Sequence, residues 1–383
     1  MQKQYDIIIL GAGVAGLSLA ALIADLNLSI LIIDKQLAPE ASNNIDLMQR
    51  AFNQRSRHIM QEIGIWNDLK VGQYSAMFVW DDNACITFKA NDVGQDTLGH
   101  IVSYQAVRYA LYQRLTNKKN IHFLFEASPS RFSMLAKQSL LQVNDQSFSA
   151  NLVVGADGKK SWLRSALGVD CEAHSYGESA LVANVKTTLT HQQTAWQRFL
   201  PTGPLAFLPL SDPHHCSIVW TNETNTTQDL LALKEGDFLT ALNEAFEAKL
   251  GEIVEVSNRA AFPLSRQHAK QYVGQSWALI ADAAHVVHPL AGLGLNLGLG
   301  DVQCLSAHIK QAVLNKQSIG DLSVLRAYER AQRSHNKKLL FGMHQLHELF
   351  LSQHSLIEWL RDAGLNGLNR SRVAKRFFIN QVA

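Results

Sequence analysis

The stretch HPLAGLGLNLGLGD, residues 288–301, sets four glycines among leucines and opens with neither a strand's alternation nor a helical stripe. Bare backbone at the start of a helix offers N–H groups to a ligand with no side chain in the way. A second cluster stands near the other end of the chain, where Gly11, Gly13 and Gly16 have the spacing G-x-G-x-x-G. The first glycine allows a tight turn, the second lets a pyrophosphate approach the backbone, and the third lets a helix pack closely on its strand. Val14 and Ala15 fall in the first helical turn, where free N–H groups and the helix dipole favour a phosphate. Asp34, eighteen residues after Gly16, suits a ribose 2′-hydroxyl and disfavours a 2′-phosphate; Lys35 beside it is grouped with it. The chemistry implied is adenine-dinucleotide binding. A third cluster, GADGKKSWLR at 155–164, brings Asp157 and Gly158 behind an apolar run, and on its own that pair is equally an ordinary turn.

These residues need a scaffold. YDIIIL reads as a parallel strand buried on both faces, LSLAALIADLN as a helix and LSILIID as the next strand, so residues 5–34 form one βαβ unit. The same region raises a different possibility, because Ile7 to Ala24 is an apolar run interrupted only by Ser18, about as long as a membrane span or signal core. The spaced glycines and the carboxylate ending the second strand favour strand–turn–helix–strand. Residues 50–70 have helical spacing, 75–99 read as a hairpin, and 176–267 are rich in strands. SWALIADAAH is one more buried strand closed by Asp282. Pro289 then stiffens the loop, Gly292 and Gly294 leave open backbone, and Leu295 and Asn296 open a helix. Beyond Asp301 the pattern is helical. The expected fold is α/β: a Rossmann-like dinucleotide domain of residues 1–74, 100–175 and 268–383, including a C-terminal helical region. It is interrupted by a β-sheet domain of residues 75–99 and 176–267.

Composition narrows the classes. With 383 residues, 47% hydrophobic and 18% charged, the chain suits a globular protein with sizeable cores. A net charge of +2 and no aromatic-basic array argue against a nucleic-acid binder. Cys85, Cys171, Cys216 and Cys304 are far apart, as in a reduced cytosolic protein. His344 and His347 have helical spacing but no third ligand nearby, so no metal site is expected.

Taken together, the three clusters resemble those of the group A flavin-dependent aromatic hydroxylases, whose fold is that of para-hydroxybenzoate hydroxylase. AWQRFLPTGPLAFLPL, IVWT, AAFPLSRQHA and HPLAGLGLNLGLGD resemble in particular the ubiquinone-biosynthesis hydroxylase subfamily, in order and spacing, along essentially the whole chain. The resemblance implies FAD, with Asp282 and Pro289 on its flavin side and backbone around Gly292, Gly294, Leu295 and Asn296 facing the pyrimidine edge. It also implies ring hydroxylation of a polyprenyl phenol through a flavin C4a-hydroperoxide, with O2 and with NADPH or NADH as electron donor. Four positions depart from the pattern. Ala281 replaces a usual glycine and Leu293 a common glutamine; Met48 stands for an arginine, with Arg50 close by; Tyr104-Gln105 replaces Asn-Arg. Arg50 and Gln105 are carried as cofactor-binding candidates.

Trp196, Arg198, Phe207, Pro209 and Trp220 are the substrate-pocket candidates on the sheet domain, the alternative for each being a core or surface strand residue. No group is singled out to deprotonate the phenol. His285 and His288, in the cofactor loop, are the weak catalytic candidates, although a loop histidine is more often a packing or hydrogen-bonding residue. Arg370, Arg372, Lys375 and Arg376 interleave with Val373, Phe377 and Phe378. That pattern suits weak contact with the inner face of a membrane by an otherwise cytoplasmic protein, or equally a final helix packed on the body; the resemblance implies other ubiquinone-biosynthesis proteins as partners. Two rival functions are a flavin reductase or dehydrogenase acting on an isoprenoid or another aromatic substrate, and a prenyl-binding carrier that does not turn over. Oxygen-dependent NAD(P)H consumption stimulated by a phenol separates the first from a hydroxylase, and a colourless protein would mark the second.

Overall fold

The computed structural model describes residues 3–42, 45–135, 138–287 and 292–351. His288, Pro289 and the basic segment at 370–378 lie outside these residues, as do the side chains of Leu293, His344 and His347.

The chain begins β1 (Lys3–Leu10), α1 (Val14–Ile23), β2 (Ile30–Ile33), β3 (Gln49–Phe52), α2 (Gln54–Ile63), β4 (Val71–Tyr74), β5 (Ala76–Trp80), β6 (Cys85–Lys89), β7 (Gly99–Ser103) and α3 (Tyr104–Thr116). It continues through β8 (Ile121–Leu124), β9 (Pro129–Met134), β10 (Ser139–Val143), β11 (Gln146–Gly155), α4 (Trp162–Ala166), β12 (Cys171–Thr187), β13 (Thr194–Leu200), β14 (Gly203–Pro209) and β15 (His215–Glu223). The last part holds α5 (Thr224–Ala232), α6 (Glu235–Phe246), β16 (Ile253–Val256), β17 (Ala260–Ala269), β18 (Val273–Gly274), β19 (Trp277–Leu279), β20 (His285–Val286), α7 (Leu293–Leu314) and α8 (Leu322–Leu351).

Three sheets organise these elements. The first has the order β18-β19-β11-β1-β2-β8, with β10 and β9 extending it from β11. Its centre is parallel, Ile8 opposite Val153 on one side and Leu31 on the other. Ile7, Ile8, Ile9, Leu152, Val153 and Val154 are fully buried, which is why the sequence runs apolar there without alternating. The apolar run from Ile7 to Ala24 is thus β1 and α1, and no described helix is long and apolar enough to cross a membrane.

The second sheet has the order β20-β17-β12-β15-β14-β13-β5-β6, with β16 beside β12. The hairpin expected near 75–99 is β5–β6, which joins this sheet through the parallel pair β5–β13. Helices α5 and α6 were not anticipated in the strand-rich stretch. One face of the sheet packs under α6, where Leu181, Ala183, Phe207, Ile218 and Trp220 meet Phe238, Leu242 and Phe246. The third sheet, β3-β7-β4, is small and touches the second: a Cβ on Gly72 would overlap the Pro209 carbonyl oxygen.

Candidate active site

Two helices meet the same cleft with open N-termini. Helix α1 starts from Gly13 in extended conformation, with no side-chain cap and no acidic residue in its first turn. Helix α7 starts from Gly292 at φ +61°, again without a side-chain cap or an acid. Unpaired N–H groups with the positive end of a helix dipole are an anion site. Glycine is required at the first because Gly11 sits at φ +108° and a Cβ there would overlap the Ala156 carbonyl oxygen. A Cβ on Gly16 would overlap the Gly11 carbonyl oxygen, so strand, turn and helix touch through bare backbone.

Side chains fix this turn from outside. Asp34 accepts the Ala12 N–H at 2.6 Å and the Gln36 N–H at 2.8 Å, binding the end of β2 to the glycine loop. The Ala12 carbonyl accepts from Nε of buried Arg108 at 2.8 Å, whose guanidinium also reaches the Leu37 carbonyl at 3.3 Å. Arg108 was missed by sequence reasoning. Its signal was a charge on the buried stripe of α3, with Leu111 and Leu115. Lys35 is exposed.

Asp157 divides its carboxylate. Oδ2 caps α4, accepting from Trp162 N at 2.7 Å and Leu163 N at 3.1 Å, while buried Oδ1 has no partner among the described residues. Gly158, at φ +83°, makes the turn. Asp282 keeps solvent contact yet is surrounded by protein, as a residue lining a deep cleft is; that enclosure raises its carboxyl pKa, opposed by His285, Arg50 and Lys159. Arg50, from β3, lies over the Tyr104 ring at 5.7 Å. Gln105 is exposed on α3 and its N–H is taken by Asp46, so Tyr104 rather than Gln105 faces the glycine loop.

At the start of α7, Leu295 is half-buried and Gly294 has only Val287 near the place of a Cβ. The Asn296 side chain clamps rather than projects. Its Nδ2 donates to the Ala51 and Gly292 carbonyls at 2.9 and 3.1 Å, and its Oδ1 accepts the Asn53 N–H at 3.0 Å.

Two sets of candidates are corrected. His285 is 1% exposed with Nε2 2.5 Å from Asp301 Oδ2, and Tyr272 stacks on it, so it is enclosed away from any substrate. The five substrate candidates sit on the covered side of the second sheet. Phe207 stacks on Phe246 at 3.6 Å, and Trp220 packs on Phe238. Arg198 is ion-paired with Asp82 and Glu247, Trp196 donates to the His191 carbonyl, and the Pro209 carbonyl abuts Gly72. The opposite parity faces the cleft. Ala260, Val182, Val219, Ala206, Gln197 and Val79 lie side by side in register across six strands. All but Val79 are half-exposed. Asn184, two residues from Val182 on the same face, donates to the Asp46 carbonyl at 3.1 Å, which turns this face toward the segment leading into β3. Among the described residues no group of acids, histidines or cysteines is placed to hold a metal.

Uncapped helix ends, Cβ-excluding glycines and an orphaned carboxylate oxygen fit a dinucleotide carrying a flat ring. Residues 4–341 match the family described as the FAD-binding domain. The chain belongs to that family. As an FAD-dependent aromatic-ring monooxygenase it is 30% identical to the mouse ubiquinone biosynthesis monooxygenase COQ6, over 95% of this chain and 88% of that protein. It is 31% identical to the Xenopus tropicalis counterpart, over 95% and 90%, and 30% identical to the ubiquinone hydroxylase UbiL of Rhodospirillum rubrum, over 98% and 89%. In fold it is similar to p-nitrophenol 4-monooxygenase PnpA of Pseudomonas putida, with a TM-score of 0.83 and 14% identity over 100% and 99% of the two chains.

One departure from the family pattern has a local account. Ala281 stands at φ +52°, where a side chain is strained, and its methyl lies 2.7 Å from where a Cβ on Gly298 would be. Helix α7 tolerates a methyl at one of the two positions. Gly298→Ala is expected to lower stability by about 1–3 kcal/mol, and adding Ala281→Gly is expected to restore most of it. Thermal unfolding of the two single variants and the double checks this, with additive losses as the contrary result.

Proposed function

We propose that this FAD enzyme hydroxylates the aromatic ring of a polyprenyl phenol or benzoquinol in ubiquinone biosynthesis, taking electrons from NADH or NADPH. The observation that carries the reading is the cleft-facing row Ala260, Val182, Val219, Ala206, Gln197 and Val79, which is apolar and small except for one amide. A surface of that kind favours a flat ring bearing a greasy chain and disfavours a charged substrate. The names of the relatives supply the pathway. Bound FAD supplies the oxygen-activating chemistry. The chain's own residues then have assignable tasks: α1, with Asp34 beside its turn, holds the adenine dinucleotide half, and Asp157, Gly158 and Asp282 border the flavin half. The α7 N-terminus, with Leu295 and Asn296, stabilises negative charge on the ring system. Leu339 and Leu340 of α8, packed with Val287 and Leu297, exclude water from the far side. A prenylated substrate would be met at a membrane surface, so peripheral contact of this protein with a membrane is expected.

The test is incubation of the FAD-loaded protein with NAD(P)H, oxygen and a short-chain prenyl phenol, followed by mass spectrometry. A product heavier by one oxygen from labelled O2 supports the reading; NAD(P)H oxidation with no oxygen in the phenol indicates a reductase instead. Ala206→Leu, which fills the row, is expected to lower kcat/KM about 30-fold, equivalent to about 2 kcal/mol, with FAD affinity unchanged. Loss of flavin instead would mean that the row lies against the cofactor.

A further inference from the structure

Helix α1 presents its positive end without a side-chain cap, and Tyr104 and Arg50 stand beside it. We propose that Tyr104 and Arg50 together form a clamp that closes over the pyrophosphate of FAD in this chain.

The placement is specific. The Tyr104 phenol oxygen lies 2.9 Å from where a Cβ on Gly13 would stand, directly over the α1 N-terminus, and the Val14 N–H faces it. The backbone beneath it is held at both sides, since Tyr104 N donates to the Met48 carbonyl at 2.9 Å and Ser103 caps α3 through Ala106 N. The ring is therefore a fixed platform. Arg50 rests on that platform, 5.7 Å from its centre, and among the described residues its one hydrogen bond is to the neighbouring Gln49 carbonyl at 3.1 Å. Most of its five N–H donors are left for a ligand. Asp282 also lies within reach of the Arg50 charge. A phosphate oxygen at the α1 N-terminus meets the Tyr104 hydroxyl as a donor and the Arg50 guanidinium as counter-charge, and the aromatic face keeps the guanidinium from swinging into solvent. Gln105, next in sequence, is turned away and takes no part.

The test compares three ligands on apoprotein reconstituted in solution: FAD by quenching of its fluorescence, ADP by its displacement of FAD, and riboflavin, which has no phosphate. Tyr104→Phe keeps the platform and removes the hydroxyl. It is expected to weaken FAD and ADP about tenfold and to leave riboflavin within twofold. Arg50→Gln is expected to weaken FAD and ADP at least as much and to flatten the dependence of FAD affinity on salt. Unchanged or tighter FAD binding by Tyr104→Phe would overturn the clamp, because the hydroxyl would then be a packing group or a competitor. Equal weakening of riboflavin would overturn it too, since the defect would lie in the ring site. Arg50 is half-exposed, so Arg50→Gln keeps the test decisive if Tyr104→Phe folds poorly.

Discussion

Gly11→Ala is expected to abolish FAD binding, with affinity falling more than about 100-fold, or about 3 kcal/mol. At φ +108° an alanine is strained by about 1–3 kcal/mol before any contact is considered. Its Cβ would also overlap the Ala156 carbonyl oxygen, with the Ala156 carbon at 2.7 Å and Asp157 N at 3.0 Å. All three atoms are backbone at the end of β11, so they cannot step aside as a side chain would. Relief requires parting β1 from β11, or shifting Asp157 and with it the cap of α4. Either movement opens the cradle at the point where phosphate meets the first turn of α1. Gly13→Ala is a useful contrast. Its Cβ would meet only the Tyr104 hydroxyl, at 2.9 Å, and a side chain can yield. The flavin content of the purified proteins, their FAD dissociation constants and their apo melting temperatures decide the matter. A Gly11→Ala protein that purifies with full FAD would show that the turn does not border the cofactor.

How much of this was legible in the sequence depends on how local each signal is. The glycine loop, β1, α1, β2 and Asp34 fall within 34 residues, and turn chemistry, buried-strand composition and helix-start chemistry all agree there. The substrate face was not legible, for a definite reason. Period-two alternation divides β13, β14 and β15 into two faces but does not say which one is covered. That is decided by α6, whose Phe238, Leu242 and Phe246 cover the larger aromatic side. The spacing of those three residues, i, i+4 and i+8 behind two acids, was a readable helix signal within a stretch taken as strands. Once α6 is present, the large aromatics belong to the core and the small residues between them face the cleft. Asp157 was undecided between turn and ligand, and its two oxygens show why: one caps a helix and the other stays unpaired. His285 looked like a loop histidine because its partner is sixteen residues away on α7, a distance that no local pattern reports.

That partner carries the other large expected effect. Asp301 is fully buried and gathers three donors from separate segments: the Ala281 N–H at 2.9 Å, His285 Nε2 and, through its second oxygen, Asn336 Nδ2 at 3.0 Å. It thereby ties the cofactor loop, α7 and α8 to one carboxylate. Asp301→Asn turns an amide donor toward at least one of these donors and leaves His285 without its counter-charge. The expected loss is about 3–5 kcal/mol, a fall in Tm of about 4–6 °C. The pH dependence identifies the cause. Burial alone would lower the His285 pKa, but attraction and hydrogen bonding to Asp301, with Asp282 adding to them, leave it raised. A histidine raised in the folded state stabilises fully below its unfolded pKa of about 6.5, and that contribution is lost as pH rises through the folded value. Wild-type stability should therefore decline from about pH 6.5 upward until His285 deprotonates in the folded protein. Without Asp301 burial dominates, the histidine pKa drops below its unfolded value, and the slope reverses: the variant loses stability as pH falls below about 6.5. Melting temperatures of both proteins between pH 5.5 and 8.5, about one unit or more either side of the unfolded value, would show the two curves bending in opposite directions. Parallel curves would mean that His285 is neutral in both, and that Asp301 holds the loop through its backbone and amide donors alone.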